Sequence, residues 1–225
     1  MREHENLQAS APKLLKKDIF GRTDLLVSET RLIIRRDVRP ARVAVRFIAR
    51  KLLEREARTL ALLEGTTGVP DLIRVDRDTL DRSYIEGQPM QDGRPADPRY
   101  FKAAAKILRH LHRQNIAHND LAKEPNFLVT SGRQPAIIDF QLAWFAPRRG
   151  ALFRIMARED IRHLLKHKRT YCPQHLTRRE VEILNHPSWL ARIWMRTAKP
   201  VYLFVTRRLL KWQDREGAGP RRRNE

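Results

Sequence analysis

The sequence predicts an α+β protein in which a small β-rich lobe with one helix precedes a mostly helical lobe. Between residues 20 and 88, short β-branched runs flank one long amphipathic segment, whereas beyond Arg99 apolar residues recur mainly at helical spacing. With 225 residues, of which 41% are hydrophobic, the chain is long and apolar enough to bury a core.

The chain divides into five predicted segments. An N-terminal extension covers residues 1–19, the β-rich lobe residues 20–88 and the helical lobe residues 89–186. A basic amphipathic helical extension follows at 187–216, and residues 217–225 form a flexible basic tail. We therefore expect the chemistry to lie in the two lobes.

In the β-rich lobe, the apolar runs 25–27 and 32–34 predict a β-hairpin, and the segment 68–87 predicts two more short strands. Between them, apolar residues at helical spacing predict one helix that ends at Gly65. The predicted buried stripe of this helix consists of Ile48, Leu52, Leu53, Ala57, Leu60 and Leu63.

In the helical lobe, the spacing predicts a helix from Arg99 to near Asn115. A second hairpin is predicted from the apolar runs 127–129 and 136–138. The rest, from Ile155 onwards, is predicted to be helical with interruptions at prolines.

The charge of the chain favours anionic partners. The sequence holds 46 Lys+Arg and 26 Asp+Glu, a net charge of +20, of which residues 148–225 carry +13. Such a surface attracts an anionic acceptor or membrane and repels polycationic small molecules. Aromatic residues interleaved with cations on a strand surface are not evident, so a nucleic-acid partner is not expected.

The single cysteine, Cys172, cannot form an internal disulfide and favours a reducing compartment. The sequence shows no signal-peptide pattern and no run of apolar residues that could span a membrane. We therefore expect a cytoplasmic protein, with peripheral contact at the inner face of the cytoplasmic membrane as an option.

One group of oxygen-bearing residues indicates a chemistry. Asp120 comes just after the predicted helix at 99–115, Asn126 precedes the second hairpin, and Asp139 follows it. This order can gather three such side chains around one point. Phosphoryl transfer needs that kind of cluster, because magnesium prefers hard oxygen ligands and a separate carboxylate must orient the attacking hydroxyl.

This arrangement resembles the protein-kinase-like fold, whose catalytic loop reads H-x-D with a later Asn and whose metal-binding strand reads D-F-G. The stretches LEREARTLALLEG, GVP and SYIEG resemble its αC helix, the turn after that helix and the hinge, as in small bacterial kinases related to the lipopolysaccharide-core (Kdo/heptose) and RIO-type kinases. The similarity covers roughly residues 20–170. It implies an ATP- and Mg²⁺-dependent kinase acting on a hydroxyl of a lipopolysaccharide-core sugar or of a protein Ser/Thr.

The resemblance also implies roles for the residues of the loop. Asp120 takes the position of the catalytic base, Asn126 and Asp139 take the magnesium positions, and His118 braces the loop. Asn126 lies six residues after Asp120, one more than in the common pattern, and one inserted residue within 123–125 explains this departure. Because the insertion moves the loop lysine, Lys123 is the candidate to contact the transferred phosphate.

The nucleotide side of the resemblance departs from the family. Where the family has a phosphate-binding lysine on a strand, this chain has Arg35 and Arg36, and only one of two adjacent strand residues can point inward. We favour Arg36, with Glu56 on the αC-like helix as its partner. A solvated edge-strand charge at Arg36 and a surface pair at Glu56 are the alternatives. Arginine is also larger than lysine and differently shaped, so a pseudokinase that serves as a binding or scaffolding protein for anionic partners is the second functional hypothesis.

Three further residues are assigned by resemblance. Gly21 is all that corresponds to the glycine-rich phosphate loop, and Glu86 lies in the hinge-like stretch, so both are candidates for the nucleotide site. Asp160 is the candidate helix carboxylate that bonds the catalytic-loop backbone, or else a charge at a helix N-terminus.

The predicted C-terminal extension carries an apolar stripe surrounded by cations. Such a helix either packs on the helical lobe or lies in a membrane interface, where its cations meet anionic lipid. The residues of the stripe are Val201, Phe204, Val205, Leu209 and Trp212.

Overall fold

A computed structural model of the protein describes residues 12–28 and 31–186. The predicted helical extension at 187–216, with its apolar stripe, and the predicted tail at 217–225 lie outside the described residues. In the part of the chain that is described, none of the helices combines the length and apolar character needed to cross a membrane.

The first lobe contains a five-stranded antiparallel sheet. Its strands are β1 (Lys13–Asp18), β2 (Gly21–Ser28), β3 (Arg31–Asp37), β4 (Leu72–Val75) and β5 (Thr79–Ser83). They pair in the order β1-β2-β3-β5-β4, which makes β3 the central strand. Both hairpins predicted in this lobe, β2–β3 and β4–β5, are confirmed.

Strand β1 corrects the prediction that residues 1–19 are an extension outside the lobe. It pairs with β2 from Lys13 opposite Leu25 to Asp18 opposite Gly21. Its side chains are almost all exposed. Because an edge strand of this kind is held by backbone hydrogen bonds and buries neither face, no alternating hydrophobic pattern predicts it.

One helix, α1 (Val43–Leu62), packs against the sheet and reaches the second lobe. Ala49 and Leu53 lie in the core between α1 and the sheet, whereas Leu60 lies in the core of the second lobe. The predicted buried stripe is wrong at Ile48, which is 51% exposed, because the neighbouring Ala49 faces the sheet instead. The helix is therefore part of both cores.

The second lobe is mainly helical and carries two small sheets. Its helices are α2 (Met90–Gly93), α3 (Pro98–Arg113), α4 (Ala151–Tyr171) and α5 (Arg178–Asn185). Its strands are β6 (Gln88–Pro89), β7 (Ile116–Ala117), β8 (Phe127–Val129), β9 (Pro135–Ile137) and β10 (Trp144–Phe145). Strands β8 and β9 form the predicted second hairpin, with β6 added at its edge, and β7 pairs with β10.

Helix α3 begins where the sequence predicts. The Asp97 side chain accepts a hydrogen bond from the backbone N–H of Arg99 at 2.8 Å, and Pro98 occupies the first helical position, where no N–H is needed. Leu108 and Leu111 are fully buried in the core of the lobe. Helix α3 packs against α4 and against β9, so the hairpin lies on a helical base.

Candidate active site

The segment between β7 and β8 brings together three of the predicted site residues. The Asn126 amide nitrogen donates to the backbone carbonyl of Asp120 at 2.8 Å and to its carboxylate Oδ2 at 3.1 Å. The Lys123 ammonium donates to the same Oδ2 at 3.0 Å. Residues Glu124–Asn126 form one 3₁₀ turn, which accommodates the inserted residue while Asn126 still reaches Asp120.

Asp139 follows β9 and lies at the same end of the β8–β9 hairpin as Asn126. The Asn126 carbonyl accepts a hydrogen bond from the Ile138 N–H at 3.0 Å, so the two ends of the hairpin lie side by side. Asp139 adopts a left-handed backbone conformation, with φ 68° and ψ 66°, a strained state that tends to occur at functional sites. Its Oδ1 atom is buried and has no hydrogen-bond partner among the described residues.

These residues fit a magnesium ion. Asp139 offers a buried carboxylate oxygen to which no group in the described part of the chain donates. Asn126 turns its amide nitrogen to Asp120, which leaves its amide oxygen as a ligand. Within residues 12–28 and 31–186, no three His, Cys, Asp or Glu side chains form a metal site by themselves. Magnesium commonly takes one or two protein ligands and completes its shell with water and substrate phosphates, so two protein ligands suffice.

The surroundings of Asp120 shift the pKa of its carboxyl. Burial raises the pKa of this carboxyl above its ordinary value, and the negative charge of Asp139 acts in the same direction. The Lys123 ammonium and the Asn126 amide oppose the rise without cancelling it. An upward shift moves a carboxylate towards the range in which it exchanges a proton with a reacting hydroxyl.

Helix α4 fixes the backbone of the loop through Asp160. This carboxylate is 1% exposed and accepts hydrogen bonds from the backbone N–H groups of His118 at 2.8 Å and Asn119 at 3.0 Å. It also lies 3.1 Å from His112 Nε2. The predicted role of Asp160 as the carboxylate that bonds the loop is confirmed, and its position in the middle of α4 excludes a helix-terminus charge.

His118 braces the loop from the other side. Its Nδ1 accepts the backbone N–H of Asp120 at 3.4 Å, so the ring hydrogen lies on Nε2, which donates to the Ile138 carbonyl at 3.1 Å. One fully buried ring thus connects the residue before Asp139 to the backbone of Asp120.

Two further residues of α4 hold the loop, and the sequence did not predict them. The Tyr171 hydroxyl donates to Glu124 Oε2 at 2.7 Å. His167 Nε2 donates to the Leu121 carbonyl at 2.8 Å. The two residues are four apart, which places them on one face of a helix, but the sequence did not show which loop that face meets.

The residues predicted on the nucleotide side also come together. Arg36 is 8% exposed, and its Nη1 lies 3.3 Å from Glu56 Oε2. Arg35 points to the opposite sheet face, where it pairs with Asp81. A solvated edge-strand charge at Arg36 is wrong, because β3 is the central strand. A surface pair at Glu56 is also wrong, because Glu56 is buried. Arg82, which the sequence did not predict, lies 3.4 Å from Glu56 Oε1.

For Gly21 and Glu86, the structure gives no contact with the other predicted residues of the nucleotide side among the described residues. Gly21 begins β2 with φ 136°, and a Cβ atom there would lie 2.2 Å from the Asp37 carbonyl oxygen. This close approach to β3 requires glycine regardless of any phosphate. Glu86 is exposed between β5 and β6 and forms no hydrogen bond or ion pair with the described residues. The assignment of both to a nucleotide site stays a prediction.

A five-stranded sheet with one helix, followed by a helical lobe that carries this loop, is a protein-kinase-like fold. Among solved structures, the Rio2 kinase from Chaetomium thermophilum is similar with a TM-score of 0.57 and 16% sequence identity. The alignment covers 76% of this chain and 60% of that chain, which is less than two thirds of its length. No family model and no curated protein matches the sequence. The predicted fold is confirmed, and the predicted likeness to lipopolysaccharide-core kinases stays a prediction.

Proposed function

We propose that this protein is an ATP- and magnesium-dependent kinase that transfers the γ-phosphoryl group to a hydroxyl. The observation that carries the proposal is the meeting of Asp120, Asn126 and Asp139 at one end of the β8–β9 hairpin. Asp139 Oδ1 is buried there and has no donor within residues 12–28 and 31–186. A buried carboxylate oxygen in that state is costly unless a cation binds it.

Each residue of the loop has a chemical task in this proposal. Asp120 accepts a hydrogen bond from the acceptor hydroxyl, directs its oxygen towards the γ-phosphorus and takes the proton. Lys123, held beside the Asp120 carboxylate, brings a positive charge to the oxygens of the transferred group. Asn126 and Asp139 would hold magnesium, which neutralises phosphate charge when bound.

The acceptor in this proposal is a hydroxyl of a glycolipid, such as a lipopolysaccharide-core sugar, or of a protein Ser/Thr, with the enzyme at the inner face of the cytoplasmic membrane. The net charge of +20 supports an anionic acceptor or surface. Exposed cations of α4 add to this support; they are Arg154, Arg158 and Arg169.

A pseudokinase that binds anionic partners is the second candidate, and Arg36 favours it. The guanidinium that stands at the nucleotide position is bonded to Glu56 in place of the compact ammonium group of a lysine. This candidate retains nucleotide or partner binding without phosphoryl transfer.

Phosphoryl transfer from radiolabelled ATP with magnesium tests the proposal. The acceptors are the protein itself, a model protein substrate and a lipopolysaccharide-core glycolipid. We expect Asp120→Asn to bind Mg-ATP but to lose transfer about 100-fold or more, because the base is gone. Asp139→Ala should lose Mg-ATP binding as well. Asp92→Asn, which changes an exposed carboxylate on α2, is the matched control and should behave as the wild type.

The outcomes separate the two candidates. A wild-type protein that binds Mg-ATP and phosphorylates none of the acceptors supports the pseudokinase, and a wild type that neither binds nor transfers contradicts the kinase. Equal loss of ATP binding in Asp120→Asn would show that Asp120 is not the base. For the membrane, sedimentation with phosphatidylglycerol vesicles that is unchanged after deletion of residues 187–225 would remove the role predicted for the extension.

A further inference from the structure

Two arginines of the first lobe share one buried carboxylate. Arg36 on β3 and Arg82 on β5 lie on the same sheet face, because Ile34, two residues before Arg36, pairs with Arg82. Arg36 Nη1 lies 3.3 Å from Glu56 Oε2, and Arg82 Nε lies 3.4 Å from Glu56 Oε1. The carboxylate of Glu56 therefore stands between two guanidinium groups.

The charges of this group do not balance. Within residues 12–28 and 31–186, neither Arg36 nor Arg82 forms an ion pair with any acid other than Glu56, so the three side chains sum to one positive charge. Their side chains are 10%, 14% and 3% exposed, in the order Arg36, Arg82 and Glu56. An uncompensated charge with so little contact to water is costly, and a bound anion removes that cost.

Two other ion pairs of the lobe show what a balanced arrangement looks like. Among the described residues, Arg35 forms an ion pair only with Asp81 and Arg50 only with Asp78, both at 2.6 Å. Both pairs are short and use two nitrogens of the guanidinium. The contacts of Glu56 are longer and involve one nitrogen of each arginine, which leaves most of the N–H groups of both guanidiniums for a ligand.

The location favours the phosphates of a nucleotide. Helix α1, which carries Glu56, packs against the turn Phe140–Leu142 that directly follows Asp139. Guanidinium groups bind phosphate oxygens through two parallel hydrogen bonds, and two of them suit a chain of phosphates better than a single charge.

We propose that Arg36 and Arg82 form a two-arginine site for the polyphosphate chain of a nucleotide, with Glu56 holding both guanidiniums in place. This inference rests on the proposed function and adds Arg82 as a nucleotide-binding residue. It also accounts for arginine at position 36. Arg36 differs in shape from the lysine of the family, and Arg82 supplies the additional donors to phosphate.

Calorimetric titration of the full chain in EDTA tests the site with three probes: ADP, inorganic tripolyphosphate and adenosine. Arg82→Met should weaken ADP and tripolyphosphate binding about tenfold or more, since charge-assisted hydrogen bonds are lost. Adenosine, which has no phosphate, should bind equally to the variant and the wild type. Arg74→Met is the matched control, because it removes an exposed arginine from the adjacent strand β4, and all three probes should be unaffected.

Arg82→Gln provides a second variant that keeps a polar group next to Glu56, and it should show the same phosphate-dependent loss. The site is overturned if either folded variant binds ADP as tightly as the wild type, if adenosine binding falls as much as ADP binding, or if the wild type binds none of the probes. Arg82-dependent binding without phosphoryl transfer to any acceptor contradicts the proposed kinase and leaves the site intact. Phosphoryl transfer together with ADP binding that does not depend on Arg82 contradicts the two-arginine site and leaves the proposed kinase intact.

Discussion

The loop between β7 and β8 in the second lobe and the sheet face of the first lobe that carries Arg36 and Arg82 are held in different ways. In the loop, His118 and Asp160 hold the backbone through hydrogen bonds that leave their buried atoms satisfied. On the sheet face, Arg36 and Arg82 each contact one oxygen of Glu56, and the three side chains together carry one positive charge.

The difference separates the loop, which hydrogen bonds within the protein hold in place, from the sheet face, whose guanidinium groups have N–H groups left for a ligand. The loop absorbs an inserted residue in one 3₁₀ turn and still brings Asn126 to Asp120, because α4 fixes it at several points. The two arginines carry one positive charge that Glu56 does not balance, and in our proposal a bound anion balances it. We therefore expect substitutions of the residues that hold the loop to lower the free energy of unfolding most. The effect of substitutions on the sheet face should depend on the net charge of Arg36, Arg82 and Glu56.

The largest effect is expected for Asp160→Ala. It leaves the buried N–H groups of His118 and Asn119 without acceptors, and we expect the free energy of unfolding to fall by about 3–5 kcal/mol. Urea unfolding followed by circular dichroism measures it, with Asp92→Ala as the control for loss of an exposed carboxylate. A fall of less than about 1 kcal/mol would contradict the view that α4 anchors the loop.

On the sheet face, Glu56→Gln should lower the free energy of unfolding by about 2–3 kcal/mol, because two buried guanidiniums lose their common carboxylate. The double variant Glu56→Gln/Arg82→Met removes one of those charges and should recover at least about 1 kcal/mol of the loss. A double variant that is less stable than Glu56→Gln alone would show that packing, and not charge balance, governs this face.

Acid should destabilise the protein through α4. Burial lowers the pKa of His163 to about 4, with the nearby Lys166 and His167 acting in the same direction and Glu159 and Asp160 opposing. Burial lowers the pKa of His167 as well. A histidine with a lowered pKa in the folded state contributes stability above its unfolded pKa of about 6.5, and this stability is lost as pH falls towards 4.

From this shift, His163 alone should account for about 2 kcal/mol of lost stability between pH 7.5 and pH 5. Urea unfolding of the wild type and of His163→Gln at both pH values measures it, and the variant should lose less stability than the wild type. Equal losses in the two proteins would show that His163 titrates normally in the folded state.

The smallest effect is expected for Tyr171→Phe, which removes the hydrogen bond to Glu124. Burial raises the pKa of the Tyr171 hydroxyl, so it remains a donor at neutral pH. We expect a loss of about 1 kcal/mol in stability and a severalfold fall in phosphoryl transfer with unchanged affinity for Mg-ATP. Thr170→Val, which removes the exposed hydroxyl of the neighbouring α4 residue, is the control, and a fall in ATP affinity in Tyr171→Phe would contradict a role limited to the loop.

The sequence predicted the parts of this protein that local rules determine. Alternation along β3 allowed only one of Arg35 and Arg36 to point inward, and Arg36 was favoured as the partner of Glu56. The spacing of Asp120, Asn126 and Asp139 around a hairpin predicted their meeting. It did not predict Arg82 or Tyr171, because their partners come from distant segments through the packing of α1 and α4. Strand β1 was not predicted, because an exposed edge strand has no alternating pattern of buried residues.

Helix α1 sets a limit on how the two lobes can move. Ala49 and Leu53 lie in one core and Leu60 and Leu63 in the other, all of them at most 1% exposed. Drawing the helix away from the sheet as a rigid body would open both interiors at once, and exposing each leucine alone costs about 1.5–3 kcal/mol. The lobes are therefore expected to unfold as one cooperative unit, and Glu56 keeps its place between the arginines whether or not a ligand is bound.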